Sequence, residues 1–204
     1  MATSPSAVFV VPSATHRRER WRNGLGWTRE IWRHPDVDAW DWRISIADIE
    51  QDAPFSTFPG IERELVLLSG NGLRLCFDDG EVQALEPPHG RLRFDGARGV
   101  RCELPDGPTQ DFNLMWRRDV VAAELWHRPL VGPMVIFVEP RTTWLVHLVA
   151  GVAHCGGDAG LPALVSGETA VLQGAEARTR HVLDGGGSAL LIRLQPIDRG
   201  RGGD

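Results

Sequence analysis

Residues Leu65–Gly72 read LVLLSGNG, and residues Leu145–Val152 read LVHLVAGV. Each is an apolar run closed by glycine, a pattern too common to carry weight alone. Outward from this pair, FDGAR (94–98) resembles LQGAEAR (172–178), and RCELPDG (101–107) resembles RHVLDGG (180–186). The three matches keep their order at offsets of 80, 78 and 79. A nearly constant offset marks two copies of one unit. Two similar β units in one chain are expected to pack face to face and bury a shared sheet surface.

The segments between these matches read as strands. Glycines (23) and prolines (14) punctuate short stretches rich in Val, Ile, Leu, Phe and Trp. WRISIADI (42–49) alternates with period two, and similar segments fall at 64–68, 73–77, 82–85, 91–94, 100–104 and 111–117. Further ones fall at 120–126, 134–138, 144–149, 169–172, 179–183 and 188–194. Many short strands at this spacing give an all-β sandwich or barrel. Residues 116–128 carry enough Ala and Glu for a helix, but their neighbours favour a strand. Ala7–Val11, cut off by Pro12, reads as a lead-in strand and not as a secretory signal. The organisation expected is a lead-in at 1–19, a first unit at 20–118, a second at 119–196, and a disordered tail at 197–204.

The chain has 204 residues, 42% hydrophobic and 24% charged, an ordinary globular balance. No run approaches the ~20 apolar residues of a membrane helix. The formal net charge is −5, and the arginines that supply the basic residues are scattered. A nucleic-acid surface needs a basic stripe, so that partner is not expected. The cysteines, Cys76, Cys102 and Cys155, are odd in number and form no C-x-x-C pair. Free thiols in a reducing cytoplasm are the simplest account.

ERELVLLSGNG (62–72) has the form that closes the first motif of cupin barrels, where a His pair upstream binds metal. Here the upstream stretch, Thr57–Gly60, contains neither His nor carboxylate. In PHGRLR (88–93), Arg93 falls where the second motif would place a His. A guanidinium suits a carboxylate or phosphate better than a metal; a solvent-facing strand arginine is the equal alternative. His147, His154 and His181 show no ligand spacing, so neither metal nor cofactor is expected. No G-x-S-x-G elbow occurs, and His154 and Cys155 would point to opposite faces of a strand.

Two stretches stand out. In DFNLMWRR (111–118), Asp111, Asn113, Met115 and Arg117 share one strand face. Such a row suits a polar pocket wall or, equally, a solvated edge. In WRNGLGWTREI (21–31), the glycines lack the third Gly and following helix of a dinucleotide loop. Asn23–Gly24 reads as a tight turn. Either Arg29 or Glu30 could face inward, and the pattern does not choose.

WRNGLGWTREI, WRISIADI with PFSTFPGIER and LLSGNG, then FDG and DFNLMWRR together resemble the HutD/Ves family over residues 20–196. The C-terminal match is looser, with Glu168 where the family favours Asp. The resemblance implies an all-β, cupin-like fold with two barrel or sandwich units in one chain, a bicupin, in a cytoplasmic bacterial protein. It implies association with histidine utilisation and binding of a small carboxylate such as N-formyl-L-glutamate, without an established reaction. The expected site comprises Trp21, Asn23, Arg29, Glu30, Arg63, Asp111, Asn113 and Arg117. Arginines would clamp carboxylates, Asn23 and Asn113 would bond an amide or formyl group, and Trp21 or Trp42 would pack on the aliphatic part. No catalytic residue, metal or cofactor is implied; a homodimer is a possible assembly. The alternative is a metal-independent isomerase, lyase or hydrolase on a similar anion, with Glu30 or Asp111 as general base. A partner-binding scaffold with a vestigial pocket is a third reading.

Overall fold

Period-two alternation of burial holds along strands such as Leu73–Phe77 and Val100–Glu103 and gives way to near-continuous burial in others, such as Thr109–Arg117, in a computed structural model that describes residues 8–156 and 161–198. The start of the lead-in and the tail from 199 lie outside the described residues. In chain order the strands are β1 Val8–Val11, β2 Arg17–Arg20, β3 Gly26–His34, β4 Trp42–Ile49, β5 Ala53–Pro54 and β6 Ile61–Ser69. There follow β7 Leu73–Phe77, β8 Val82–Leu85, β9 Arg91–Asp95, β10 Val100–Glu103, β11 Thr109–Arg117 and β12 Val121–Val131. The last are β13 Met134–Val138, β14 Thr143–Gly156, β15 Leu164–Val165, β16 Thr169–Gln173 and β17 Thr179–Pro196. A 3₁₀ turn at Ser13–Thr15 is the one helical element among the described residues. The protein is therefore all-β, and the ambiguous 116–128 stretch is the end of β11, a turn and most of β12. Among the described residues no helix is long and apolar enough to cross a membrane.

The chain divides into two units. One runs His16–Val120; the other takes the residues up to Thr15 together with those from Val121 onward. The lead-in is thus divided. Val8–Val11 pairs antiparallel with β16, whereas Arg17–Arg20 pairs with β3.

The His16–Val120 unit has a six-stranded sheet, β2-β3-β4-β11-β6-β9, and a four-stranded sheet, β5-β10-β7-β8. An apolar cluster joins the sheets: Leu65 and Leu67 of β6, Leu75 and Phe77 of β7, Phe94 of β9, Val100 and Cys102 of β10. Each such side chain contributes about 1.5–3 kcal/mol on leaving water.

The other unit has one seven-stranded sheet, β1-β16-β14-β17-β12, with β13 also on β17 and β15 on β14. Its cluster includes Val146 and Leu148 of β14, Ala170 and Leu172 of β16, and Ala189 and Leu191 of β17. Segments 179–183 and 188–194, expected as two strands, are one. Gly185 and Gly187 let β17 run on against β14: a Cβ at Gly187 would collide with the Ala150 carbonyl, and one at Gly185 with the Val152 carbonyl. Glycine here permits close strand approach instead of a break.

The pairing pattern recurs between units. The order β4-β11-β6-β9 reappears as β12-β17-β14-β16. The sequence match aligned Leu65 with Leu145, but the apolar cluster contains Leu65 in one unit and Val146 in the other. The counterpart is one residue further along, because a one-residue slip exchanges the two faces of a strand. Leu65 pairs with Asn113, which pairs with Ser45; Val146 pairs with Leu191, which pairs with Trp126.

Candidate functional site

Antiparallel register places one residue from each strand in a row across the six-stranded sheet. Three rows share one face: Thr28–Ala47–Asp111–Leu67, Glu30–Ser45–Asn113–Leu65, and Arg33–Arg43–Met115–Arg63–Phe94. The first two residues of β11's polar row, Asp111 and Asn113, therefore face inward with Met115. A cavity of about 620 Å³ opens over these rows, and Thr28, Arg43, Ala47, Arg63, Asp111, Asn113 and Met115 line it. Its far wall is Phe55, Ser56 and Phe58 from the β5–β6 connection, and its lip is Trp21 and Asn23.

The lip is built by the β2–β3 hairpin. Gly24 takes φ 73°, its N–H donates to the Trp21 carbonyl at 2.9 Å, and Asn23 Oδ1 accepts the Leu25 N–H at 3.1 Å. These are the bonds of a tight turn. Trp21 Nε1 donates to Thr28 Oγ1 at 2.9 Å, and the Trp21 ring meets Phe55 edge-on at 5.8 Å. Gly26 lets the indole lie down, since a Cβ there would come within 3.2 Å of it and 2.7 Å of the Asp48 carbonyl.

At the floor, Arg63 is only 4% exposed. Its guanidinium lies 5.4, 5.7 and 5.1 Å from the rings of Phe55, Phe58 and Phe94, and Nη1 makes a long 3.4 Å bond to the Ser56 carbonyl. Its Nε finds no hydrogen-bond partner among the described residues. Burial lowers its pKa to about 10, against the raising effect of Asp111. Asp111 is 1% exposed, and neither of its carboxyl oxygens finds a partner among the described residues. Burial pushes its pKa up to about 7; Arg63 pulls it down and Asp48 adds a further rise. Asn113 Oδ1 is likewise buried and unpartnered. Buried polar atoms are normally bonded, so the unsatisfied atoms of a guanidinium, a carboxyl and an amide around one cavity mark it as the candidate site. Glu30 Oε2 holds Arg43 Nε at 3.1 Å on the same face. Burial nonetheless pushes the Arg43 pKa down.

Of the expected residues, Trp21, Asn23, Arg63, Asp111 and Asn113 line the cavity; three do not. Arg29 falls in the row Arg29–Ile46–Phe112 on the opposite face and pairs with Asp48 at 3.1 Å. Glu30 faces the cavity side but spends its carboxylate among Arg17, Arg33 and Arg43 instead of lining the space. Arg117, at the end of β11, turns to Asp41 and Asp119 in a half-exposed position. Trp42 also lies on the opposite face, buried and stacked on His34 at 5.8 Å. Arg93 is a strand arginine, bonded to Glu62 at 2.9 Å over the Trp116 ring. Arg43, Phe55 and Phe58 were missed. An arginine two positions before Ser45, on the same face of a largely apolar strand, was the available signal for the first.

Among the described residues, no three His, Cys, Asp or Glu side chains gather as a metal site would require. His147 donates to or accepts from Thr169 Oγ1 at 2.9 Å, and His181 lies 3.1 Å from the Thr179 hydroxyl.

A pirin from Escherichia coli determined with nickel(II) superposes at TM-score 0.68, covering 93% of this chain and 99% of that one, with 10% identity. That likeness concerns the fold alone: an all-β chain folded like that pirin. Within that fold class the chain belongs to the HutD family, whose model matches residues 13–191. HutD from Pseudomonas fluorescens SBW25 superposes at TM-score 0.81 with 30% identity, over 94% of this chain and all of that one. A Pseudomonas putida protein from the hutC 3′ region is 42% identical over 113 residues, 54% of this chain and 59% of its own length. Protein Ves of Cronobacter sakazakii is 39% identical over 106 residues, 52% and 58% respectively. The chain thus spans little more than half the length of the curated relatives it matches.

Proposed function

We propose that the cavity of the His16–Val120 unit binds a small carboxylate that also carries an N–H donor, such as N-formyl-L-glutamate, without turning it over, and that the protein thereby modulates histidine utilisation. One observation carries the reading: Arg63 is buried with its Nε unsatisfied, on the same cavity as the unsatisfied oxygens of Asp111 and Asn113. A carboxylate would accept from the guanidinium, a charge-assisted bond strengthened by exclusion of water. The ligand N–H would donate to Asn113 Oδ1, and neutral Asp111 would donate to a formyl or carboxylate oxygen. The Phe55, Phe58 and Trp21 rings would cover the aliphatic carbons. Membership of the HutD family supports the link to histidine utilisation. The recurrent strand pairing supports a bicupin of two barrels, and we place the protein in the cytoplasm, with a homodimer as the assembly to test. Calorimetric titration with N-formyl-L-glutamate, urocanate, histidine and glutamate is the test. Saturable heat with the first, weakened in Arg63→Gln, is expected; no heat and no thermal shift with any of the four overturns the reading.

A second reading is a metal-independent enzyme on a similar anion. Asp111 favours it, because a carboxyl raised to about 7 is suited to proton transfer at neutral pH. Glu30, held by three arginines, is the weaker base. Product formation from N-formyl-L-glutamate, lost in Asp111→Asn with binding retained, would establish this reading over the first.

A further inference from the structure

The unit that begins at Val121 has its own cavity, of about 580 Å³. It lies on the strands that correspond to those of the first site. Pairing makes Trp126 the counterpart of Ser45, Leu191 of Asn113, Trp144 of Arg63 and Arg193 of Met115. The polar floor has become an aromatic one. Trp126 and Trp144 stack with centroids 5.8 Å apart and planes at 21°, resting on the apolar cluster and lining the cavity. Met134 and Leu191 complete the floor.

The rim is cationic. Arg193 is held by Glu124 at 2.5 Å, and Arg178 by Glu139 at 2.9 Å while it lies 4.0 Å over the Phe137 ring. Arg128 reaches only the His127 carbonyl, at 3.5 Å, and has no carboxylate partner among the described residues. Indole faces accept either a flat ring or a cation. With Arg193 and Arg178 each paired to a glutamate, Arg128 leaves the rim one positive charge in excess among the described residues, which disfavours a cation. A carboxylate on the ring adds a charge-assisted contact to Arg128 that a neutral ring lacks.

We propose that this second cavity binds a small planar aromatic acid, its ring against the Trp126–Trp144 pair and its carboxylate on Arg128. This site is separate from the Arg63 cavity and stands or falls without it. The arrangement also predicts the order of affinities: an aromatic acid above its neutral alcohol, and both above an aliphatic acid.

The test is calorimetric titration of the full chain with 2-naphthoate and with 2-naphthalenemethanol. Saturable binding of 2-naphthoate at one site is expected. Arg128→Gln should weaken 2-naphthoate about tenfold, the worth of one charge-assisted bond, and leave the alcohol within about twofold. Trp126→Leu, which keeps the apolar floor, should weaken both by about five- to tenfold. Excess N-formyl-L-glutamate should displace neither. The proposal is overturned by no saturable binding of 2-naphthoate, by affinity that ignores Arg128→Gln, or by displacement with N-formyl-L-glutamate. If Trp126→Leu does not fold, the Arg128→Gln arm alone decides, because that side chain is exposed.

Discussion

Arg63 and Asp111 occupy adjacent strands of one sheet, face the same cavity, and are both buried, yet neither is bonded to the other's oxygen or nitrogen. An ion pair would have closed the cavity floor chemically. Held apart, the Arg63 Nε and both Asp111 carboxyl oxygens are left without hydrogen-bond partners among the described residues. Burying unpaired charge is costly, and here the cost appears as a lowered arginine and a raised aspartate pKa. The first prediction follows from the aspartate.

Asp111 has a pKa of about 7 in the folded chain against an ordinary 3.8. Between these values the folded chain holds a proton that the unfolded chain has lost. The stability contribution is therefore fully present near pH 4 and is lost as pH rises through 7. At about 1.4 kcal/mol per pKa unit, the loss has a ceiling on the order of 4 kcal/mol. Urea midpoints of the ligand-free protein should fall between pH 4 and 8. Asp111→Asn should flatten this fall; an equally steep fall in the variant would locate the titrating group elsewhere.

Binding should follow the same proton. Neutral Asp111 donates to the ligand, and ionised Asp111 repels its carboxylate. The affinity for N-formyl-L-glutamate should fall above pH 7, approaching tenfold per pH unit. Calorimetry at pH 6 and pH 8.5 reads this directly, and Asp111→Asn should remove most of the difference.

Arg63→Met tests the other partner. It removes the buried cation and keeps much of its volume beside Phe55, Phe58 and Phe94. Carboxylate affinity should fall at least about 100-fold, as expected for losing two charge-assisted bonds. Stability at pH 6 should change by less than about 1.5 kcal/mol, because replacing a poorly paired buried charge with an apolar chain is often neutral or favourable. With Arg63 gone, Asp111 loses the one group that lowers its pKa. The stability fall should therefore move to higher pH in urea titrations.

Much of this site was legible before the fold was known, and the failures have physical causes. The alternation in DFNLMWRR placed Asp111 and Asn113 on one face, and register shows that face looking into the cavity. Arg117 shares that parity but lies at the strand end, where the side chain is free to turn to Asp41 and Asp119. Arg29 and Glu30 could not be told apart because parity assigns opposite faces without saying which is inside. Only pairing to Ile46 and Ser45 resolves it. β2 escaped notice because Arg17–Arg20 is exposed throughout, so no apolar period marks it. The glycines at 185–187 read as a break, because a sequence shows what glycine permits and not which backbone approaches it. The repeat was visible, but its alignment on β14 was one residue out, which exchanged the two faces.

Arg29 and Glu30 now make a paired prediction. Arg29→Ala removes the contact to Asp48 on the face away from the cavity. It should leave carboxylate affinity within about twofold, since a partly exposed ion pair contributes about 1 kcal/mol or less to stability. Glu30→Gln should instead lower affinity by about three- to tenfold, because it frees Arg43 from its 3.1 Å contact and lets that guanidinium leave the cavity wall. Equal effects in parallel titrations would mean that the face assignment does not govern binding.

Gly26 lies against the Trp21 indole of the lip, and its substitution separates architecture from chemistry. A Cβ at this position meets the Asp48 carbonyl at 2.7 Å and the Trp21 indole at 3.2 Å. The carbonyl belongs to β4 and cannot retreat without disturbing the β3–β4 ladder, so the indole and the β3 backbone must give way together. Gly26→Ala should destabilise the chain by about 1–3 kcal/mol, the usual cost of overpacking. It should also break the Trp21 Nε1 bond to Thr28 and uncover the cavity. Ligand affinity should then fall even though Arg63, Asp111 and Asn113 are untouched. Trp21→Phe, which loses the same hydrogen bond without the collision, should weaken binding and leave the melting temperature within about 3 °C of the parent. If Gly26→Ala lowers the melting temperature but leaves affinity unchanged, Trp21 does not cover the ligand, and the lip belongs to the fold alone.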